Sequence, residues 1–120
     1  RARGRAQVLG VQAEGAPAMA QSLEAGRLVR LDAVRTIATT LAPRAVSERT
    51  LRLCQTLCAG VALVSDDEIR AAQALLYDDL RLVVEPAGAA ALAALCSGRV
   101  DPGLLQGART IGLVLCGANG

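Results

Sequence analysis

The sequence has no lysine and no histidine, and its thirteen cationic side chains are all arginine. Phenylalanine and tryptophan are missing as well, which leaves Tyr77 as the one aromatic residue. Each gap closes off some chemistry. Without lysine, no side chain offers the primary amine that forms and exchanges an imine. Without histidine, the four cysteines lack the partner that completes many zinc sites. Without aromatic rings there is no stacking platform for bases, and a net charge of +2 makes no electrostatic case for nucleic acid. No apolar run reaches the roughly 18 residues that span a bilayer, and no signal-peptide pattern stands at the start. The expectation is a soluble, cytoplasmic chain with neither nucleic-acid nor membrane partners.

What is present is aliphatic. The core has to be built from Ala, Val, Leu and Ile, and at 120 residues the chain is the size of one domain able to bury about two-thirds of its unfolded surface. Arg1, Arg3 and Arg5 form the one basic cluster, which suits either a nucleic-acid arm or the polar end of a helix; the missing aromatics favour the helix end. Cys54 and Cys58, four apart, fall on one face of an expected helix and not in a Cys-x-x-Cys knuckle. Cys96 falls in an alanine-rich helix and Cys116 at a strand end. Three of the cysteines are expected to be small core residues, with disulfides and structural zinc both disfavoured.

Strand and helix signals alternate along the chain, with no internal repeat and no low-complexity linker. Gln7 to Ala13 reads as a buried strand in which Gly10 allows a neighbour to approach, and Ala18 to Ala25 as a short helix closed by Gly26. Arg27 to Leu31 suits an edge strand, with Asp32 placed to cap a helical turn after it. Val34 to Leu41 suits a short helix or packed loop ended by Pro43. An apolar stripe from Val46 to Cys58 predicts a helix stopped by Gly60, followed by a strand over Val61 to Val64. Ser65-Asp66-Asp67-Glu68 has the form of a capping box with further acids where a helix dipole favours them; that explanation outweighs a metal cluster. The helix it opens is expected to break at Asp78-Asp79. The alternation makes the chain α/β, one incomplete layered domain with a mostly parallel sheet.

The informative stretch is the last forty residues. Leu82-Val83-Val84 leads into Glu85-Pro86 and at once into an alanine-rich helix, which sets one carboxylate at a strand-to-helix junction with proline at the first helical position. The second run, Ile111 to Leu115, is apolar without alternation, as expected of a strand buried on both faces, and ends in Cys116-Gly117-Ala118-Asn119. Val84 to Leu95 followed by Val114 to Asn119 resembles the C-terminal part of the pyridoxal-phosphate-dependent serine/threonine dehydratases, ammonia-lyases that share the tryptophan-synthase-β-like fold with serine racemase. Val64 to Ile69 is similar to that family too, and the likeness extends from about Gln7 to the end.

The resemblance implies a C-terminal part of the large domain that binds pyridoxal 5'-phosphate, truncated at both ends, from an enzyme converting threonine or serine to a 2-oxo acid and ammonia. The family's Schiff-base lysine lies upstream of the matched region, so these 120 residues alone are expected to be inactive. Cys116 stands at the family's position for the serine or cysteine that meets the pyridine nitrogen. Glu85 would lie beside the ring, with Gly117 and Asn119 shaping the turn. The family's cation site would fall on Gln12 and on the carbonyls of Ala16, Leu41 and Pro43. Gln12 replaces a carboxylate and Ala18 an aspartate found in serine racemase, which points to a weakly held monovalent cation or none. The family is commonly dimeric, so a homodimer is implied for the full-length protein, with a small hydroxyamino acid as substrate. Two other readings stay open: a noncatalytic amino-acid-binding module, and a structural remnant of the fold.

Overall fold

The computed structural model describes residues 6–117. The clustered Arg1, Arg3 and Arg5 and the candidate residue Asn119 lie outside the described residues. The architecture is α/β, in the order β1 (Val8–Ala13), α1 (Ala18–Ala25), a single 3-10 turn (Thr39–Leu41), α2 (Glu48–Leu57), β2 (Cys58–Val64), α3 (Asp66–Leu80), α4 (Pro86–Cys96) and α5 (Pro102–Leu105). Among the described residues no helix is long and apolar enough to cross a membrane.

β1 and β2 pair in parallel, with Gly10 opposite Val61, Gln12 opposite Leu63 and Ala13 opposite Val64. Gly10 has the close neighbour expected of it: a β-carbon there would come within 3.2 Å of Val61 Cγ2. α1 keeps its predicted bounds, and Gly26 adopts the left-handed conformation (φ 69°) that closes it. α3 opens on the predicted capping box, with the Glu68 N–H donating to Ser65 Oγ at 3.1 Å and the Ser65 N–H to Glu68 Oε2 at 2.8 Å. Pro86 occupies the first turn of α4, where its absent N–H has no helical partner to lose.

The core is made almost wholly of small residues. Ala89, Ala90, Ala93 and Ala94 of α4 meet Ile69, Ala72 and Leu76 of α3, with Ala13, Ala62 and Val64 of the strands beneath them. Alanine on both sides lets α4 approach closely, which is how a chain with a single aromatic residue closes its interior. Ser22 is fully buried, and its hydroxyl is satisfied by the Val29 N–H at 3.0 Å. Arg99, beyond the end of α4, pairs with Glu68 (2.8 Å) and Glu14 (3.2 Å) and so ties α4 to the start of α3 and the end of β1.

Several expectations are corrected. The helix before Gly60 stops at Leu57, and Gly60 lies inside β2 opposite Leu9. β2 therefore begins at Cys58, three residues earlier than the apolar run suggested, because ladder pairing with β1 outweighs the helical stripe. Cys58 accordingly sits in a strand and not on the face of α2. α3 runs through Asp78-Asp79 to Leu80 and ends at Arg81 in the left-handed conformation (φ 57°). Arg27 to Leu31 forms no strand, and no helical turn follows directly on Asp32 for it to cap. None of the four cysteines is fully buried, and Cys96 and Cys116 are exposed. Leu82-Val83-Val84 and Ile111 to Leu115 are outside any ladder, and Val114 is 78% exposed. An unalternating apolar run suits burial on both faces, but it becomes a strand only where a neighbouring strand supplies its hydrogen bonds.

Candidate functional site

The first turn of α4 is the point on which distant segments converge. Gln73 of α3 donates from Nε2 to the Val84 carbonyl at 2.8 Å, holding the chain just before the helix. Glu85 follows as the N-cap; its backbone is extended and its side chain does not cap the helix, which leaves the carboxylate for other contacts. Its own N–H donates to the Gly117 carbonyl at 2.9 Å. The turn at Cys116-Gly117 is thereby fastened to the start of α4 across 32 positions of sequence (117 less 85).

Two glycines permit this approach. A β-carbon on Gly88 would fall 1.8 Å from the Cys116 carbonyl oxygen, so only hydrogen fits there. Gly117 has φ 78°, and a β-carbon on it would fall 2.1 Å from Glu85 Oε1. The Glu85 carboxylate therefore packs directly on the α-carbon of Gly117.

A third segment closes the arrangement. The 3-10 turn delivers Thr40, whose hydroxyl donates to Glu85 Oε1 at 3.4 Å. That turn is braced from α3: Asp66 accepts from Thr36 Oγ1 (2.6 Å) and from the Ile37 N–H (3.1 Å), while Thr36 Oγ1 accepts from the Ala38 N–H (3.1 Å). Asp66 does this from the opening of α3, so part of the acidic group serves this loop as well as helix capping. Among the described residues no group of three or more His, Cys, Asp or Glu is arranged to hold a metal ion.

Glu85, Cys116 and Gly117 are thus brought together. Thr40 and Gly88 belong with them, although residue type and spacing assign neither a role. Gly88 carries a signal in hindsight, since a glycine inside an alanine-rich helix is locally unfavourable and invites a packing explanation. Thr40 carries none, because its partner is 45 residues away. Gln12 lies near the end of β1, where its Oε1 accepts the Ala20 N–H at 3.0 Å. Ala16 is buried between β1 and α1, Leu41 ends the 3-10 turn, and Pro43 follows in the loop. Cys54 and Cys58 lie next to each other where α2 passes into β2; burial and the hydrogen bond to Cys58 push the Cys54 thiol above its ordinary pKa. Such a thiol is a poor nucleophile.

Residues 1–117 match the sequence family described as pyridoxal-phosphate dependent enzyme. The chain is 42% identical over 113 residues to phenylserine dehydratase of Ralstonia pickettii, a match covering 94% of this chain and 34% of that protein. It is 46% identical over 86 residues to a biosynthetic L-threonine dehydratase of Burkholderia multivorans, covering 72% of this chain and 17% of that one. The fold is similar to that of the processed form of threonine deaminase isoform 2 from Solanum lycopersicum, with a TM-score of 0.70 and 40% identity over 72% of this chain and 24% of the other. The chain therefore spans about a third or less of the length of the curated relatives just described.

Proposed function

Since this chain belongs to the family of pyridoxal-phosphate dependent enzymes, we propose that it builds the ring-nitrogen side of the cofactor site in an ammonia-lyase acting on a 3-hydroxy amino acid. The observation that carries this reading is the seating of the Cys116-Gly117 turn on Glu85 and the first turn of α4. The residues present suit one side of pyridoxal phosphate: an exposed thiol at a turn, a carboxylate beside it, and a glycine cradle that a β-carbon would fill. They do not supply the amine, since the chain has no lysine, and that group has to come from outside these 120 residues.

When bound, the cofactor supplies an electron sink for the pair released as the substrate loses its α-proton. The part played by this chain is to set how strong that sink is. Cys116 would offer the ring nitrogen a neutral or weakly acidic hydrogen-bonding group in place of a carboxylate, which would favour ring protonation less. A moderate sink suffices for departure of a β-hydroxyl and disfavours chemistry that needs a fully developed carbanion. Glu85 holds an acceptor oxygen beside the turn, and Gly117 leaves room for it. The net reaction converts the hydroxyamino acid to a 2-oxo acid and ammonia, with the water lost at the β-carbon recovered on hydrolysis. The dehydratase and deaminase names of the similar proteins support this substrate class.

A monovalent cation, held by Gln12 through its amide oxygen and by the carbonyls of Ala16, Leu41 and Pro43, forms part of the same proposal. Its support is the neutral amide at Gln12, which brings no charge to attract a divalent ion. The complete protein is read as a cytoplasmic homodimer.

The test is to purify the complete protein that carries this chain and follow the visible absorption of bound cofactor together with release of 2-oxo acid and ammonia from serine, threonine and phenylserine. Cofactor uptake with turnover of at least one of them is expected. A protein that binds amino acids but releases no ammonia overturns the enzymatic reading in favour of a binding module.

A further inference from the structure

We infer that Thr40 is a positioning residue for the cofactor site, fixing the Glu85 carboxylate against the Cys116-Gly117 turn; this rests on the function proposed above. A glutamate at a helix N-terminus has three side-chain torsions and many places for its oxygens to go. Here one oxygen meets two neighbours from opposite directions in sequence. Oε1 accepts from the Thr40 hydroxyl at 3.4 Å, and it is the same oxygen that a β-carbon on Gly117 would approach to 2.1 Å. The glutamate backbone is pinned independently, by its N–H to the Gly117 carbonyl.

Thr40 suits this task because its support is rigid while its hydroxyl is accessible. The loop leading into it hangs on Asp66 by two hydrogen bonds and is anchored by Ala38, which is fully buried. Thr40 itself is exposed, so removing its hydroxyl leaves the core untouched. A separation of 3.4 Å is long for a hydroxyl on a carboxylate, and the bond is expected to shorten when cofactor is bound. A carboxylate held in one place beside the Cys116-Gly117 turn would fix a charge near the cofactor, distinct from the neutral hydrogen-bonding group that Cys116 would offer the ring nitrogen. Thr40 thus acts on the electronics of the site through Glu85, without needing to touch cofactor or substrate.

The test uses the complete protein loaded with pyridoxal 5'-phosphate and compares wild type with Thr40→Ser, Thr40→Val and Glu85→Gln. The readouts are melting temperature, the pH midpoint of the cofactor absorption band, KM and kcat. Thr40→Val, which keeps the shape and loses the hydroxyl, is expected to melt with the wild type, to shift the pH midpoint, and to lower kcat roughly tenfold with little change in KM. Thr40→Ser is expected to restore the wild-type midpoint. In the Glu85→Gln background, Thr40→Val should have a smaller effect than it has alone, since the two residues act as one unit. A Thr40→Val protein with the wild-type midpoint and kcat, or effects of the two substitutions that simply add, would overturn the inference while leaving the proposed function standing. A wild type that takes up no cofactor overturns the proposed function, and this inference with it.

Discussion

The α-carbon of Gly88 lies against the Cys116 carbonyl oxygen so closely that a β-carbon would come within 1.8 Å of it. Backbone-to-backbone contact of this kind cannot be relieved by turning a side chain. The start of α4 and the turn bearing the candidate thiol are therefore packed backbone to backbone, and Val84, whose Cγ1 would be 2.9 Å from the same β-carbon, closes the remaining side.

Gly88→Ala should accordingly be costly despite alanine's better helix propensity, which on its own would stabilise by about 1 kcal/mol. The clash is expected to dominate and leave a net loss of about 1–3 kcal/mol. Chemical denaturation of the complete protein measures it. Ala91→Gly in the same helix is a control for propensity alone and should cost no more than about 1 kcal/mol.

Gly117→Ala combines two penalties. Its φ of 78° disfavours any residue with a β-carbon, and that carbon would collide with Glu85 Oε1. Backbone strain of this sort costs on the order of 1–3 kcal/mol. Because the carboxylate must move, cofactor affinity should fall by more than the loss of stability accounts for. A titration with pyridoxal 5'-phosphate, read beside the melting temperature, separates the two effects.

Cys116 tests the electronics directly. On the proposed assignment, Cys116→Ser would keep a neutral hydrogen-bonding group for the ring nitrogen and is expected to retain most of the proposed ammonia-lyase activity. Cys116→Asp favours a protonated ring and strengthens the sink, which should lower elimination relative to side reactions. Identical kinetics for all three proteins would show that this side chain does not meet the ring.

Much of this arrangement follows from local chemistry. The left-handed Gly26 after Ala18–Ala25, the reciprocal Ser65 and Glu68 bonds, and Pro86 at the head of an alanine helix each depend on residues within one or two turns of each other, and each stands where local rules put it. Ile111 to Leu115 behaves differently, since its strand character depends on neighbours and none pairs with it among the described residues. Leu57-Cys58 shows a second kind of failure. Helix stripe and strand run overlap there, and the pairing of Cys58 with Val8, which decides the boundary, comes from fifty positions upstream (58 less 8). Thr40 and Glu85 show the same limit at the site itself: neither residue type nor spacing announces a bond between a loop hydroxyl and a helix-cap carboxylate.

Acid should loosen the junction of β1, α3 and α4. Glu68 is held below the usual carboxylate pKa first by the Ser65 backbone N–H and then by Arg99, with partial burial opposing them. A carboxyl with a depressed folded-state pKa contributes stability that is present above its unfolded value, about 4.3, and is lost as pH falls through the lower folded value. The expected result is a wild type that melts higher than Glu68→Gln near neutrality, with the gap closing below about pH 4. A gap that stays constant down to pH 3 would assign the effect to packing and not to charge.

Gln12→Glu should change which cation the protein prefers. The amide oxygen of Gln12 already accepts the Ala20 N–H at 3.0 Å, and its amino group is a donor that any cation avoids. A carboxylate in its place has two acceptor oxygens, so one can keep the Ala20 N–H while the other faces the ion. Magnesium and calcium are hard ions that draw much of their affinity from carboxylate charge, whereas potassium is served by neutral oxygens. In the complete protein, potassium is expected to raise the melting temperature of the wild type more than magnesium does, and Gln12→Glu to reverse that order without losing the α1 contact. A wild type stabilised by magnesium and indifferent to potassium would overturn the monovalent reading, which rests on the neutral amide at this position.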